Sequence, residues 1–131
     1  MYNALILIDP STPASIVGLK TKIKQVFTGS LNRDVADELA GNELKLFWLN
    51  FTFTITYADA SHVLAESREI AEKFAKKHVA RNRIEQCQAR FEIFSDEDPH
   101  KTHFNEYIFI IESAECLGPV YTFEPASGNF I

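Results

Sequence analysis

The segment Leu44–Tyr57 constrains this chain more than any other. Phe47, Leu49, Phe51, Phe53, Ile55 and Tyr57 alternate with Trp48, Asn50, Thr52, Thr54 and Thr56. Successive side chains of a strand point to opposite faces, so this period of two predicts β-structure with one apolar face and one threonine-rich face. A single strand of that length would far outrun the usual ~20 Å. The segment therefore either bends, with Asn50 the natural place, or projects beyond the core.

Around it the remaining elements can be laid out. Ala4–Ile8 is apolar at every position, the pattern of a strand covered on both faces. Asp9-Pro10-Ser11-Thr12-Pro13 turns the chain, with Thr12 placed to cap a helix and Pro13 at its first position. Ile16, Leu19, Ile23, Val26 and Phe27 recur at helical spacing, and Gly29 supplies a stop. Leu31, Val35 and Leu39 share one face of a short second helix, capped by Asn32 and ended by Gly41. His62–His78 is the clearest amphipathic helix, capped by Asp59 or Ser61, with Val63, Ser67, Ile70, Ala71, Phe74 and Ala75 on its inner face.

Beyond that helix, Ile84–Ser95 and Phe104–Ser113 read as an antiparallel strand pair across the polar loop Asp96–His103. Val120–Glu124, flanked by prolines, adds an edge strand. The order predicts a single α+β domain over residues 1–131, with a mixed or mostly antiparallel sheet of about five strands. Two main helices and a short one are expected to pack on one face. Tyr107–Ile111 is apolar on both sides and wants cover, from the C-terminal segment or from a second copy in a homo-oligomer.

Composition narrows the functional classes. A net charge of −5 disfavours a general nucleic-acid binder. No apolar run approaches the length of a membrane span. Met1–Ile8 lacks the basic start of a signal peptide, and Cys87 and Cys116 form no disulfide framework. Together these predict a cytoplasmic protein without membrane attachment.

The charge is uneven. From Glu92 onward there are eight carboxylates against Lys101 alone, a local balance of −7. Glu92, Asp96, Glu97, Asp98, Glu106, Glu112 and Glu115 therefore form a candidate surface for a basic protein partner. The ordinary role of such acids is to keep strand edges from aggregating. The basic run Lys73, Lys76, Lys77, His78, Arg81 and Arg83 is a candidate phosphate or nucleic-acid contact, but no aromatic side chains are interleaved to stack on bases. A helix end dressed with bases for the dipole explains it as well.

Catalytic and metal chemistry has thin support. The chain carries no G-x-S-x-G, P-loop, G-x-G-x-x-G or H-E-x-x-H pattern. His100 and His103 beside Asp96–Asp98 are weak metal candidates, because their spacing fits no standard zinc pattern. Asp9 ends a central strand just before a helix, where open α/β sheets place functional acids. With Tyr57, His62 and Arg90 it would line a pocket between sheet and helices, the feature of a small enzyme or ligand-binding domain. The leading expectation is a non-enzymatic protein-binding module, of inhibitor, immunity or adaptor type, needing no cofactor.

Overall fold

Seven strands form one sheet in which every pairing is antiparallel. The structure, a computed structural model, describes residues 1–31 and 35–131. In chain order the elements are β1 (Asn3–Ile8), α1 (Ile16–Leu31), β2 (Ala36–Ala40), β3 (Glu43–Trp48), β4 (Phe51–Ala58), α2 (Ser61–Phe74), α3 (Arg81–Ile84), β5 (Ala89–Ser95), α4 (Phe104–Glu115), β6 (Val120–Glu124) and β7 (Asn129–Phe130). The strand order is β2-β3-β4-β5-β1-β6-β7, which places the apolar β1 well inside the sheet. The expected five strands are thus seven.

The long alternating segment is a hairpin. Trp48 pairs with Phe51, Leu46 with Phe53 and Leu44 with Ile55, across a two-residue turn at Leu49 and Asn50. Asn50 has φ 61°, a left-handed conformation that asparagine tolerates better than most residues. The turn also shifts the phase. Leu44 and Leu46 join Phe51, Phe53 and Ile55 in the core, while Leu49, expected on the apolar face, lies at the tip fully in solvent.

Three other expectations are corrected. The predicted short helix around Val35 and Leu39 is instead strand β2, paired with β3; its proposed cap, Asn32, lies outside the described residues. Ile84–Ser95 divides into the end of α3 and strand β5. Phe104–Ser113 is not a strand paired with β5 but helix α4. A run apolar at every position suits a buried helix as well as a buried strand, and periodicity alone cannot separate them.

Local capping differs in detail. Ser15, not Thr12, caps α1: its Oγ accepts the Gly18 N–H at 3.0 Å. Thr12 donates its hydroxyl to the Pro119 carbonyl at 2.8 Å. Helix α1 runs past Gly29 to Leu31. Ala60 stands at the start of α2 without a side-chain cap. Strand β6, expected at an edge, is flanked by β1 and β7.

The helices cover both faces of the sheet, not one. Ala4, Ile6 and Ile8 of β1 join Leu19, Ile23 and Phe27 of α1 and Tyr107, Ile110 and Ala114 of α4 in the larger core. Leu7, pointing the other way, joins Ile70 and Ala71 of α2, Ile84 of α3 and Phe123 of β6 in a second. Burying each large side chain contributes about 1.5–3 kcal/mol. Tyr107–Ile111 thus finds its cover inside the chain, against α1 and the sheet, and no longer calls for a second subunit. Lys20 and Lys24 of α1 pair with Asp37 of β2 at 3.6 and 3.3 Å, tying the helix to the sheet's outer strand. Among the described residues no helix is long and apolar enough to cross a membrane.

Candidate functional site: a charged cleft at the end of the central strand

Strand β1 ends at Ile8, opposite Ala89 at the start of β5 and Val120 at the start of β6. Asp9 follows at once and is only 2% exposed. Its Oδ1 accepts Arg83 Nε at 2.9 Å and the Tyr121 hydroxyl at 2.8 Å. Its Oδ2 accepts Arg83 Nη2 at 2.6 Å, the Ser11 hydroxyl at 2.6 Å and the Ser11 N–H at 3.0 Å. The Arg83 guanidinium, ahead of the cost of burial, holds this carboxyl far below the ordinary carboxylate range. Burial and the neighbouring Asp9 push the Tyr121 hydroxyl up to about 12. Cys87, whose Sγ–H reaches the Arg83 carbonyl at 3.5 Å, is pushed by burial to about 12 as well.

The partners of this cluster hold Asp9 ionised and favour the protonated forms of Tyr121 and Cys87. Every lone-pair direction of Asp9 is taken, and neither Tyr121 nor Cys87 releases a proton near neutrality. What the cluster does is mechanical. It fixes α3, and the loop carrying it, to the end of β1.

That attachment opens a cleft. A cavity of about 620 Å³ lies between α2 and α3, lined by Leu64, Arg68 and Glu72 from one wall and Arg81 and Glu85 from the other. Gln86, Gln88 and Pro10 complete it. Leu64, Arg68 and Glu72 are spaced by four residues, so they line up along one face of α2. Arg81 and Glu85 do the same on the far side. Among the described residues, no ion pair or side-chain hydrogen bond engages Arg68, Glu72, Arg81 or Glu85.

A second cavity of about 360 Å³ adjoins the first and shares Pro10 and Gln88 with it. Its walls are Ile8, Asp9, Thr12, Ala14, Tyr57 and Ala89. Burial, with Asp59 nearby, raises the Tyr57 hydroxyl above its ordinary value. That hydroxyl makes no hydrogen bond among the described residues.

No family model, no curated protein and no solved structure matches this chain. The site must therefore be read from its own geometry.

Of the four residues expected to line one pocket, Asp9 and Tyr57 do line the same cavity. Arg90 and His62 do not. Arg90, 5% exposed, grips Glu92 with Nε at 2.8 Å and Nη2 at 2.7 Å, and its Nη2 also reaches Glu66 at 3.3 Å. Glu66 in turn lies 3.7 Å from His62. Arg90, Glu92, Glu66 and His62 thus link β5 to α2, away from the cleft.

The seven acids expected to act as one surface differ in partners and exposure, with Asp96, Glu97 and Asp98 consecutive in one loop and Glu106, Glu112 and Glu115 on α4. Glu92 is held by Arg90 on the sheet. Asp96 accepts the Thr52 N–H at 2.9 Å, and Glu97 meets the amino terminus at 3.3 Å. Asp98 accepts the Tyr2 hydroxyl at 2.6 Å and the backbone N–H groups of Thr102 and His103. Glu106 is 6% exposed, so a partner could not reach it. Glu112 and Glu115 are exposed at the far end of α4.

His103 stacks on Phe51 with ring centres 4.1 Å apart, while His100 is exposed in the loop. Among the described residues no group of three His, Cys, Asp or Glu is placed to hold a metal ion. Within the basic run, Lys73 is paired with Glu69 at 2.6 Å and Arg83 with Asp9, which leaves Lys76, Lys77 and Arg81.

Arg68, Gln86 and Gln88 carry no site signal in the sequence, while Arg81 and Arg83 belong to the run expected as a phosphate or nucleic-acid contact. The four-residue spacings Arg68–Glu72 and Arg81–Glu85 were visible, but nothing local shows that they face one another.

Proposed function

We propose that this chain is a non-catalytic binding domain whose working surface is the cleft between α2, α3 and the end of β1. One observation carries this reading. Two arginines and two glutamates face a single cavity, and among the described residues none of them is engaged in an ion pair or side-chain hydrogen bond. Arg68 and Glu72 are exposed and Arg81 and Glu85 half-buried, and all four line a volume within the range of small-ligand sites, beside two glutamine amides that can fix orientation. Beside the cavity, Asp9 is held ionised by Arg83 and Ser11, and Cys87 is held protonated by burial, which supports binding over turnover.

The rival reading, a basic protein captured by the C-terminal acids, rests on two exposed pairs on different elements, Asp96 and Glu97 in the loop after β5 and Glu112 and Glu115 on α4. Amide chemical-shift mapping separates the two. Titration with a panel of small charged molecules (phosphate, acetate, spermidine and a zwitterionic dipeptide) should move the amides of 64–72 and 81–89 first. If no member of the panel moves them, and polylysine instead moves 96–115, the acidic surface replaces the cleft.

A further inference from the structure

We infer that the cleft takes a small zwitterionic ligand of the dipeptide class, carrying an ammonium, a carboxylate and one apolar side chain. The inference rests on the binding role proposed for this cleft and adds the chemistry of its occupant.

Each wall carries both signs. Helix α2 offers Arg68 and, one turn on, Glu72; α3 offers Arg81, and Glu85 follows directly after its last residue. A ligand with anionic groups alone would find two guanidiniums but would also bring its charge beside two carboxylates. A purely cationic ligand meets the reverse problem. Like charges brought within a few ångströms repel even at an open site, though solvent screens part of that repulsion. A ligand bearing both signs satisfies both pairs at once. Its carboxylate suits a guanidinium fork, which matches the planar, two-oxygen acceptor, and its ammonium suits the glutamates.

The amide groups narrow the class further. Gln86 and Gln88 can each donate and accept a hydrogen bond, and neither side chain is engaged within the described residues. A peptide group between the ligand's charged ends is the complement of such amides. The adjoining cavity then gives a place for a side chain. Ile8, Pro10, Ala14 and Ala89 supply the apolar half of its lining; of the polar half, Thr12 has spent its hydroxyl on Pro119 and Asp9 is saturated by Arg83, Ser11 and Tyr121. Gln88, common to both cavities, stands where backbone and side chain of the ligand would part.

The test uses four probes followed by amide chemical shifts on the full chain: glycyl-leucine, its N-acetylated form, its C-terminal amide, and glycylglycine. Glycyl-leucine should bind at the cleft. Blocking its ammonium or its carboxylate should each weaken binding about tenfold or more, the scale of one charge-assisted contact. Removing the leucine side chain should cost about tenfold. Glu72→Gln with Glu85→Gln should abolish the preference for a free ammonium, and Arg68→Gln with Arg81→Gln the preference for a free carboxylate. All four side chains are unpaired, and the amide spectrum of each variant reports an intact fold before titration.

Equal binding of the blocked and free forms would overturn the zwitterion and leave the cleft standing. Binding of phosphate or spermidine at the cleft while no dipeptide moves it would overturn the peptide class alone. If none of these molecules moves the cleft amides, both the inference and the binding role it rests on fall together.

Discussion

Arg83 grips Asp9 with two nitrogens, Nε at 2.9 Å and Nη2 at 2.6 Å, across 74 residues of sequence. The carboxylate is 2% exposed and the arginine side chain 47%. The pair is therefore buried from one side only. Breaking a fully buried pair costs roughly 3–5 kcal/mol, and the open side of Arg83 reduces that through solvent screening. Asp9→Asn is expected to destabilise the chain by about 2 kcal/mol, read from the urea midpoint. Because α3 forms one wall of the cleft, the same variant should also raise backbone exchange over Arg81–Ile84. A change within a few tenths of a kcal/mol would mean that α3 is held by Ile84 and the second core alone.

The same carboxylate predicts an acid response. Its folded-state pKa is depressed, with the Arg83 contact the leading cause. A depressed carboxylate adds stability above its unfolded value of about 3.9 and loses it as the pH falls through that value towards the lower folded one. Stability attributable to Asp9 should therefore be flat above about pH 5 and decline on acidification below about pH 4. Asp98 is depressed too, because the Tyr2 hydroxyl and the His103 and Thr102 N–H groups outweigh its burial, and it adds to the loss in the same window. The difference between wild type and Asp9→Asn, measured as unfolding midpoint against pH, isolates the Asp9 part. That difference should shrink in acid; a constant difference down to pH 2 would show that the charge of Asp9 carries none of the stability.

Asn50 turns the β3–β4 hairpin with φ 61°. A side chain with a Cβ in the left-handed region costs about 1–2 kcal/mol, less for asparagine, which bonds locally, and nothing for glycine. Asn50→Val is expected to lose about 1 kcal/mol or more, and Asn50→Gly to lie within a few tenths of the parent. Thermal unfolding of the two variants side by side gives the comparison. Equal losses would place the cost in the asparagine side chain rather than in its backbone.

How much of this was legible in the chain depends on where the information sat. The strand Ala4–Ile8, the stripe of α1 and Val63, Ser67, Ile70 and Ala71 of α2 are local patterns that fold as read, whereas the helix expected over His62–His78 spans Ser61–Phe74 and leaves Phe74, expected on its inner face, exposed. The run Phe47–Tyr57 was read in one phase because a two-residue turn without glycine leaves the alternation looking unbroken. It shifts by one residue between Leu46 and Phe51, and only pairing reveals that. Leu31, Val35 and Leu39 match a helical face by spacing alone, but β2 has its neighbour β3 to pair with, and tertiary pairing overrides weak periodicity. The cleft was half legible. Asp9 and Tyr57 announce themselves as polar groups at strand ends. Arg68, Arg81 and Gln88 become a site only once α2 and α3 are set facing each other, and the bond that sets them, Arg83 to Asp9, is long-range.

Helix α4 is the element most at odds with the local pattern, so its packing merits a direct test. Ile110 is fully buried between α1 and the sheet. Removing most of such a side chain costs about 2–5 kcal/mol, depending on how far the cavity collapses. Ile110→Ala is expected within that range by chemical denaturation, whereas Ile108→Ala, at a half-buried position, should cost clearly less. In a strand, positions 108 and 110 would share one face and respond alike. Matching losses would contradict the helix.

The two cysteines give the last prediction. Cys87 is fully buried in the second core, and burial pushes its thiol up to about 12. Cys116 is exposed just past the end of α4. The thiolate is the reactive form, so a group both buried and held protonated is shielded twice. A disulfide-exchange reagent should therefore modify one thiol per chain in the native state and two in denaturant. In Cys116→Ser the native reaction should drop to the rate of opening of the second core. Since Cys87 lies beside Arg83, that residual rate should rise in Cys116→Ser/Asp9→Asn, because releasing α3 uncovers the thiol. If the residual rate does not change, the Asp9–Arg83 contact does not govern the opening of this end of the molecule.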